Sequence, residues 1–296
     1  MRLASLASAA CAVLVLALAP NAAAQSGLTQ LRSGWYVSGA VGANWGSEVE
    51  QTGLNRDPLC YPTNACFDED PRPEFPGYRW AYDLDSGSGA MFELSAGYIL
   101  RRVRFELSFG ERRNGVEQMF RSATTLDGAV LEDRRNSTVR SDTASSIDAL
   151  TVRTLAFNGY YDFWDAAPGF TPYIGAGVGP AFVGIRGVRF SDEYFDTADG
   201  TVAYDPPLSS YNARLDDDYT DTVLAGHLHA GADFGVNERT VLGFRLTYSM
   251  LSDAQYTGTY SLHAAHRFDP DFTHTDRFAG TRYWSLQFTV RYVLGD

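Results

Sequence analysis

Beyond residue 24 the chain has no run of about 18 consecutive apolar residues, so no helix of it would cross a bilayer. Cysteine is scarce, with only Cys11, Cys60 and Cys66 in 296 residues. Basic residues are outnumbered, 24 Lys and Arg against 36 Asp and Glu, for a net charge of −12. That balance excludes nucleic-acid binding, which needs a basic face. Nothing has the spacing of a zinc motif, because Cys60 and Cys66 have no histidine near them. No phosphate loop qualifies either, since GAGVG at 175–179 lies inside a strand pattern. The expectation is therefore no metal and no cofactor. Mean hydropathy is only −0.21. That value does not exclude a membrane barrel, in which only alternate residues face lipid.

What the chain does have is a leader and a repeated alternation. Residues 1–24 read as a signal peptide. Arg2 supplies the positive start, 11–19 (CAVLVLALA) the apolar core, and Ala22-Ala23-Ala24 before Gln25 the cleavage site. Cleavage is expected between Ala24 and Gln25. Cys11 is no lipoprotein cysteine, since the apolar core follows it. In the exported chain, Cys60 and Cys66 are an even pair six residues apart. They fit an oxidising compartment and a small disulfide loop.

The last stretch, YWSLQFTVRYVL at 283–294, alternates strictly. Trp284, Leu286, Phe288, Val290, Tyr292 and Leu294 share one face; Ser285, Gln287, Thr289 and Arg291 share the other. Seven earlier segments do the same, giving strands at about 35–45, 90–100, 103–110, 152–164, 171–185, 222–236, 241–248 and 281–294. Connections after the second, fourth and sixth strands are a handful of residues. Those after the first, third, fifth and seventh run to roughly thirty or forty, which is strange in a compact soluble domain. An outer-membrane barrel has this pattern, with short periplasmic turns and long extracellular loops. The fold expected for 25–296 is all-β: a transmembrane antiparallel up-and-down β-barrel of eight strands. Ten strands result if Thr201–Tyr204 or Tyr256–His263 joins the wall. The loops are acidic and are expected to be partly ordered and partly mobile.

SGWYVSGAVGANW after the leader, NGYYDFW (158–164) followed by TPYIGAGVG (171–179), and the closing strand together carry a resemblance. The chain resembles the OmpA-like and opacity-type eight-stranded outer-membrane surface proteins. The closing strand is similar to their assembly signal, with Gln287, Tyr292 and Leu294 in place. Thr289 stands where glycine is usual, and Gly295-Asp296 follow where many relatives end in Phe. The resemblance implies the outer membrane of a Gram-negative bacterium. The partners it implies are outer-membrane lipid and lipopolysaccharide, the barrel-assembly machinery through the last strand, and an extracellular ligand of the loops. No peptidoglycan-binding domain is expected after strand eight. The family implies architecture far more than activity.

Eight strands leave an interior that side chains fill. By alternation the lumen receives Glu93, Glu106, Asp162 and Asp233 with Arg104, Arg245 and Arg291, and Arg153 if its strand starts early. Buried charges must pair, so a salt-bridge network is expected. A gated path for water or small ions is the functional alternative. His227 and His229, two residues apart and both inward, read as polar lumen residues; with Asp233 they would be the start of a metal site. His263, His266 and His274 read as surface residues of the last loop. A lipid-modifying enzyme would need Ser249 or Ser252 beside His263 or His266, and an omptin-type protease would need Asp and His pairs at the rim. Neither pattern is marked by spacing. The function expected is that of a non-enzymatic surface protein acting through its loops; the alternative is a small passive channel.

Overall fold

The computed structural model describes residues 33–57, 77–128, 139–163, 169–196 and 207–295. The leader, its Ala24–Gln25 junction and the Cys60–Cys66 pair lie outside the described residues.

Fourteen strands are present among them. Eight close into a barrel: β1 (Ser33–Gly46), β4 (Ser88–Leu100), β5 (Val103–Gly115), β8 (Ala149–Asp162), β9 (Phe170–Asp196), β10 (Ala213–Gly235), β11 (Thr240–Leu251) and β14 (Arg282–Gly295). Each pairs antiparallel with its neighbours in the order β10-β11-β14-β1-β4-β5-β8-β9, and β9 returns to β10. The seal between first and last strands runs from Tyr36 opposite Val293 to Gly46 opposite Tyr283. At the short-turn end, Arg101 takes a left-handed φ of 57° between β4 and β5. Between β10 and β11, Asn237 Oδ1 accepts from the amides of Arg239 and Thr240 at 2.9 and 2.8 Å.

Alternation sorts the side chains. Val37, Val41, Leu94, Leu107, Phe157, Ile174, Leu228, Phe244, Leu286 and their like point outward and remain 44–62% exposed. A continuous apolar belt of that size has no place in water, where each such side chain forgoes about 1.5–3 kcal/mol of burial. It faces hydrocarbon, and the barrel spans the membrane. Trp35, Tyr98, Tyr161 and Tyr292 rim one edge of the belt; Trp45, Tyr248 and Trp284 rim the other.

The long connections are mostly strands, which loop-like composition had concealed. β2 (Glu48–Asn55), β3 (Tyr78–Asp85), β6 (Glu117–Thr125), β12 (Ala254–Thr259) and β13 (Thr273–Ala279) form a second antiparallel sheet, ordered β12-β13-β2-β3-β6. β7 (Val139–Ser146) pairs with the far end of β9. Only one or two residues separate β1 from β2, β3 from β4, β5 from β6 and β13 from β14. The short strands thus continue the wall into a second tier. β9 has 27 residues and β10 has 23, where about 9–11 cross a membrane. Their surplus belongs to that tier. Ala254–Thr259 pairs with β13 above the barrel, so the wall below keeps eight strands; 201–204 lie outside the described residues. The outer face of the second tier carries Glu48, Glu50, Asp85 and Arg121 and belongs in water.

Its interior is apolar. Val49, Leu84, Ile147, Val183, Ile185, Leu251 and Phe278 belong to one buried cluster there. The lower lumen is polar and aromatic, and its glycines explain how three tyrosines fit. A Cβ on Gly97 would lie 2.5 Å from the Tyr36 ring, on Gly175 2.3 Å from Tyr160, and on Gly231 2.5 Å from Tyr173. Each ring lies flat over a glycine of the next strand. Of the GAGVG glycines, Gly175 serves this packing, while Gly177 and Gly179 admit the Asn158 side chain and the Leu155 carbonyl of the neighbouring strand. At Gly231 a Cβ would also lie 2.4 Å from the carbonyl of Phe244, which cannot swing away. Gly231→Ala is expected to lower barrel stability by about 1–3 kcal/mol, read as an earlier urea midpoint and a lower temperature for loss of the compact band on a heat-modifiability gel.

Candidate functional site

Each charged lumen residue sits where strand alternation points it inward. Arg245 of β11 is the hub. It donates to Tyr160 Oη at 3.0 Å and Gln287 Oε1 at 3.0 Å, bonds Glu93 closely, and lies 3.6 Å from Glu106. Glu106 of β5 accepts from Tyr36 at 3.0 Å and from Tyr160 at 2.9 Å. Beside this group, Arg104 reaches Asp162 at 2.9 Å and Asp233 at 3.4 Å, and Arg291 reaches Asp233 at 2.8 Å. The Arg104 guanidinium lies 4.5 Å from the centre of the Tyr173 ring and 4.9 Å from that of Tyr160. All seven sequence-predicted lumen residues therefore meet in one network. Removing a partner from such a network strands a buried charge.

Arg112 also points inward, because the strand expected over 103–110 continues to Gly115. It is buried, donates to Ser249 at 3.4 Å and covers the Tyr283 ring at 4.9 Å. With it the lower lumen holds, among the described residues, four arginines and four carboxylates. Arg153 is a correction. It lies on the outer face and bonds Glu111 at 2.7 Å, because Thr154, not Arg153, has the inward parity. His227 bonds Ser249 through Nδ1 at 2.9 Å, and His229 bonds Thr247 at 3.0 Å and Asn158 at 3.3 Å. Asp233 is held by two arginines, so these three do not converge on one point.

A second polar chain crosses the upper tier. Ser145 of β7 donates to Gln118 of β6 at 2.7 Å; Gln118 donates to Gln51 of β2 at 2.7 Å; Gln51 donates to Asp276 of β13 at 3.1 Å. Tyr219 of β10 closes the chain, donating to Asp276 at 3.3 Å with His274 Nε2 2.8 Å away. Its links from Ser145 to Gln118, from Gln118 to Gln51 and from Tyr219 to Asp276 join strands that no backbone ladder joins. His263 and His274 are thus not the surface residues expected: they are 4% and 1% exposed, caged by Tyr260 and, for His263, Phe272. Their burial was illegible because the loop has no alternation long enough to show an inner face.

Residues 76–206 match the model of a family described as surface antigen. The match covers under half of the chain. No curated protein matches it. Among solved structures the chain is similar to Neisserial surface protein A, at 12% identity and a TM-score of 0.40, with 88% of this chain and 97% of that one covered. It is similar to OprG of Pseudomonas aeruginosa at 13% identity and 0.41, covering 88% and 96%. It is also similar to the outer membrane protease OmpT of Escherichia coli at 10% identity and 0.30, covering 92% and 100%. Identities of this size transfer no residue role. The resemblance read from the sequence, to eight-stranded surface barrels, agrees with the family match and with the barrel itself.

Ser249 points into the lumen and is 0% exposed, away from lipid, with His227 as its histidine partner. Ser252 is exposed and accepts the amide of Leu224 at 3.0 Å. Neither serine bonds His263 or His266 among the described contacts.

Two expectations follow. Arg245→Leu, which strands Glu93 and Glu106, should cost about 3–5 kcal/mol in a urea titration, whereas Arg153→Ala should cost under about 1 kcal/mol, as exposed pairs do. The second concerns pH. Burial among Tyr260, Phe272 and the neighbouring His266 and His274 pushes the His263 imidazole down to about 3, despite Asp57 3.8 Å away. Between about pH 6.5 and 3 the opened state gains a proton that the folded one refuses. Stability of this hairpin is therefore full above that window and lost as pH falls through it. Hydrogen exchange at the Ala265 amide, which bonds His263 Nδ1 at 3.1 Å, should quicken on acidification after correction for intrinsic rates, and His263→Asn should flatten the dependence.

Proposed function

We propose that the protein is a non-enzymatic outer-membrane surface protein whose rim, rather than its lumen, does its work. The observation that carries this reading is the contrast between a filled interior and a built rim. Arg245, Arg104, Tyr36, Tyr160 and Tyr173 occupy the lower lumen in mutual contact. Above them comes the apolar packing of Val183, Ile185, Leu251 and Phe278. Polar solute crossing the barrel would have to break the first and enter the second.

The rim is the long-loop end and faces the outside of a Gram-negative cell, after export by a leader cleaved between Ala24 and Gln25. The belt meets outer-membrane lipid and lipopolysaccharide. β14, with Gln287, Tyr292 and Leu294, is the strand offered to the barrel-assembly machinery. An extracellular ligand then meets the second tier and its loops. The surface-antigen match over 76–206, which takes in β3 to β9 and so both tiers, supports the surface-protein reading.

Planar-bilayer conductance of the refolded mature chain tests it. The expected record is silent or shows rare, tiny openings. Steady channels of defined conductance would overturn the filled-lumen claim and make the protein a small passive channel, with the Arg245–Glu93 and Arg104–Asp162 pairs as its gate.

A further inference from the structure

Among the described residues, Arg112 is the lumen arginine that forms no ion pair. Arg104, Arg245 and Arg291 between them hold Glu93, Glu106, Asp162 and Asp233. Arg112 lies beyond that network on β5. Its Nη2 donates to Ser249 Oγ at 3.4 Å, and its Cζ lies 4.9 Å from the centre of the Tyr283 ring, but Nη1 has no partner. A guanidinium so buried needs a counter-charge, because an isolated charge in an interior is costly.

Its neighbours are incomplete as well. His227 Nε2, Tyr283 Oη and Ser285 Oγ also have no hydrogen-bond partner, and none of the four residues is more than 7% exposed. Strand register brings them together. Tyr283 is directly opposite Ser249, Ser249 is directly opposite His227, and Ser285 follows Tyr283 on the same face. The Arg112 charge is close enough to act on the His227 ring. Native interiors leave few polar atoms unsatisfied, so four in one layer call for a common occupant.

The four atoms are donors. Ser249 Oγ accepts from Arg112, so its own proton goes to His227 Nδ1, 2.9 Å away. The imidazole proton is then on Nε2. Arg112 Nη1–H, His227 Nε2–H and the Tyr283 and Ser285 hydroxyls all lack an acceptor. The guanidinium excludes a metal cation from their midst. Water would accept from the hydroxyls but would leave the Arg112 charge uncompensated.

We propose that this layer of the lumen binds a small monovalent anion of halide size, held by Arg112, His227 and Tyr283. The salt-bridge network closes the site below, and the apolar packing of Val183, Leu251 and Phe278 closes it above. The ion is therefore enclosed as the barrel forms. Larger oxyanions do not fit an interior that side chains fill. Two acceptors border the layer, Asn44 Oδ1 and Asn114 Oδ1, whose amide nitrogens donate to the carbonyls of Ala90 and Gly87 at 3.2 and 2.6 Å. A water coordinated to the anion donates to them. The site is separate from the rim and holds whatever the rim binds.

The test uses the mature chain refolded in phosphatidylcholine vesicles. Urea titrations are read by tryptophan fluorescence at constant ionic strength, with gluconate replaced stepwise by chloride. The unfolding midpoint is expected to rise with chloride, since an anion that binds only the folded state stabilises it by mass action. Arg112→Met removes the charge and keeps an adaptable side chain of similar length. It should abolish the chloride dependence and, in gluconate, unfold no earlier than wild type. Tyr283→Phe, which removes only the hydroxyl, should weaken the dependence without lowering the midpoint in gluconate. Crystals of protein refolded in bromide should show an anomalous peak beside Arg112 Nη1. A midpoint indifferent to chloride, a chloride effect that survives Arg112→Met, or absence of the bromide peak overturns the proposal; the donors then hold water alone. Each of these results leaves the surface-protein reading standing, because conductance decides that separately.

Discussion

In hydrocarbon a backbone N–H or C=O has no partner except another strand. That constraint governs the lower tier completely. β1 must meet β14, and β9 must return to β10, because any gap would leave polar groups in lipid. The same chain relaxes as soon as it leaves the belt. Above Trp45 and Trp284 water can serve the backbone, and there the wall divides into ladders of five and three strands.

Closure then creates the problem that the lumen solves. Eight strands enclose a space that side chains must fill, and the inward residues are largely polar because the outward ones had to be apolar. The filling works by mutual satisfaction. Glu106 accepts two tyrosine hydroxyls, Arg245 spans Tyr160 and Gln287, and Asp233 lies between two arginines. Glycines make room where the rings lie against the next strand. In the upper tier the interior turns apolar, and a hydrogen-bonded chain from Ser145 to Tyr219 links the five-strand ladder to β7 at one end and to β10 at the other.

Strand number, inward and outward faces, and the seven charged lumen residues were legible from the chain alone. All follow from a period of two, and an apolar belt makes that period strict. Where the belt stops, legibility stops. β2, β3, β6, β12 and β13 face water on one side and a mixed core on the other, so their composition looks like loop. Residues 149–152 are all buried, which blurs the start of β8 and misassigned Arg153. Arg112 was missed because its strand was ended five residues early.

The sequence by itself determined the barrel, since alternation with aromatic rims and paired short and long connections has few other solutions. Only the tertiary structure decided who meets whom. The pairing of Arg245 with Glu93, 152 residues away, and of Tyr219 with Asp276 depends on strand stagger around a closed wall. Those are long-range registers, and no local pattern of residues encodes them.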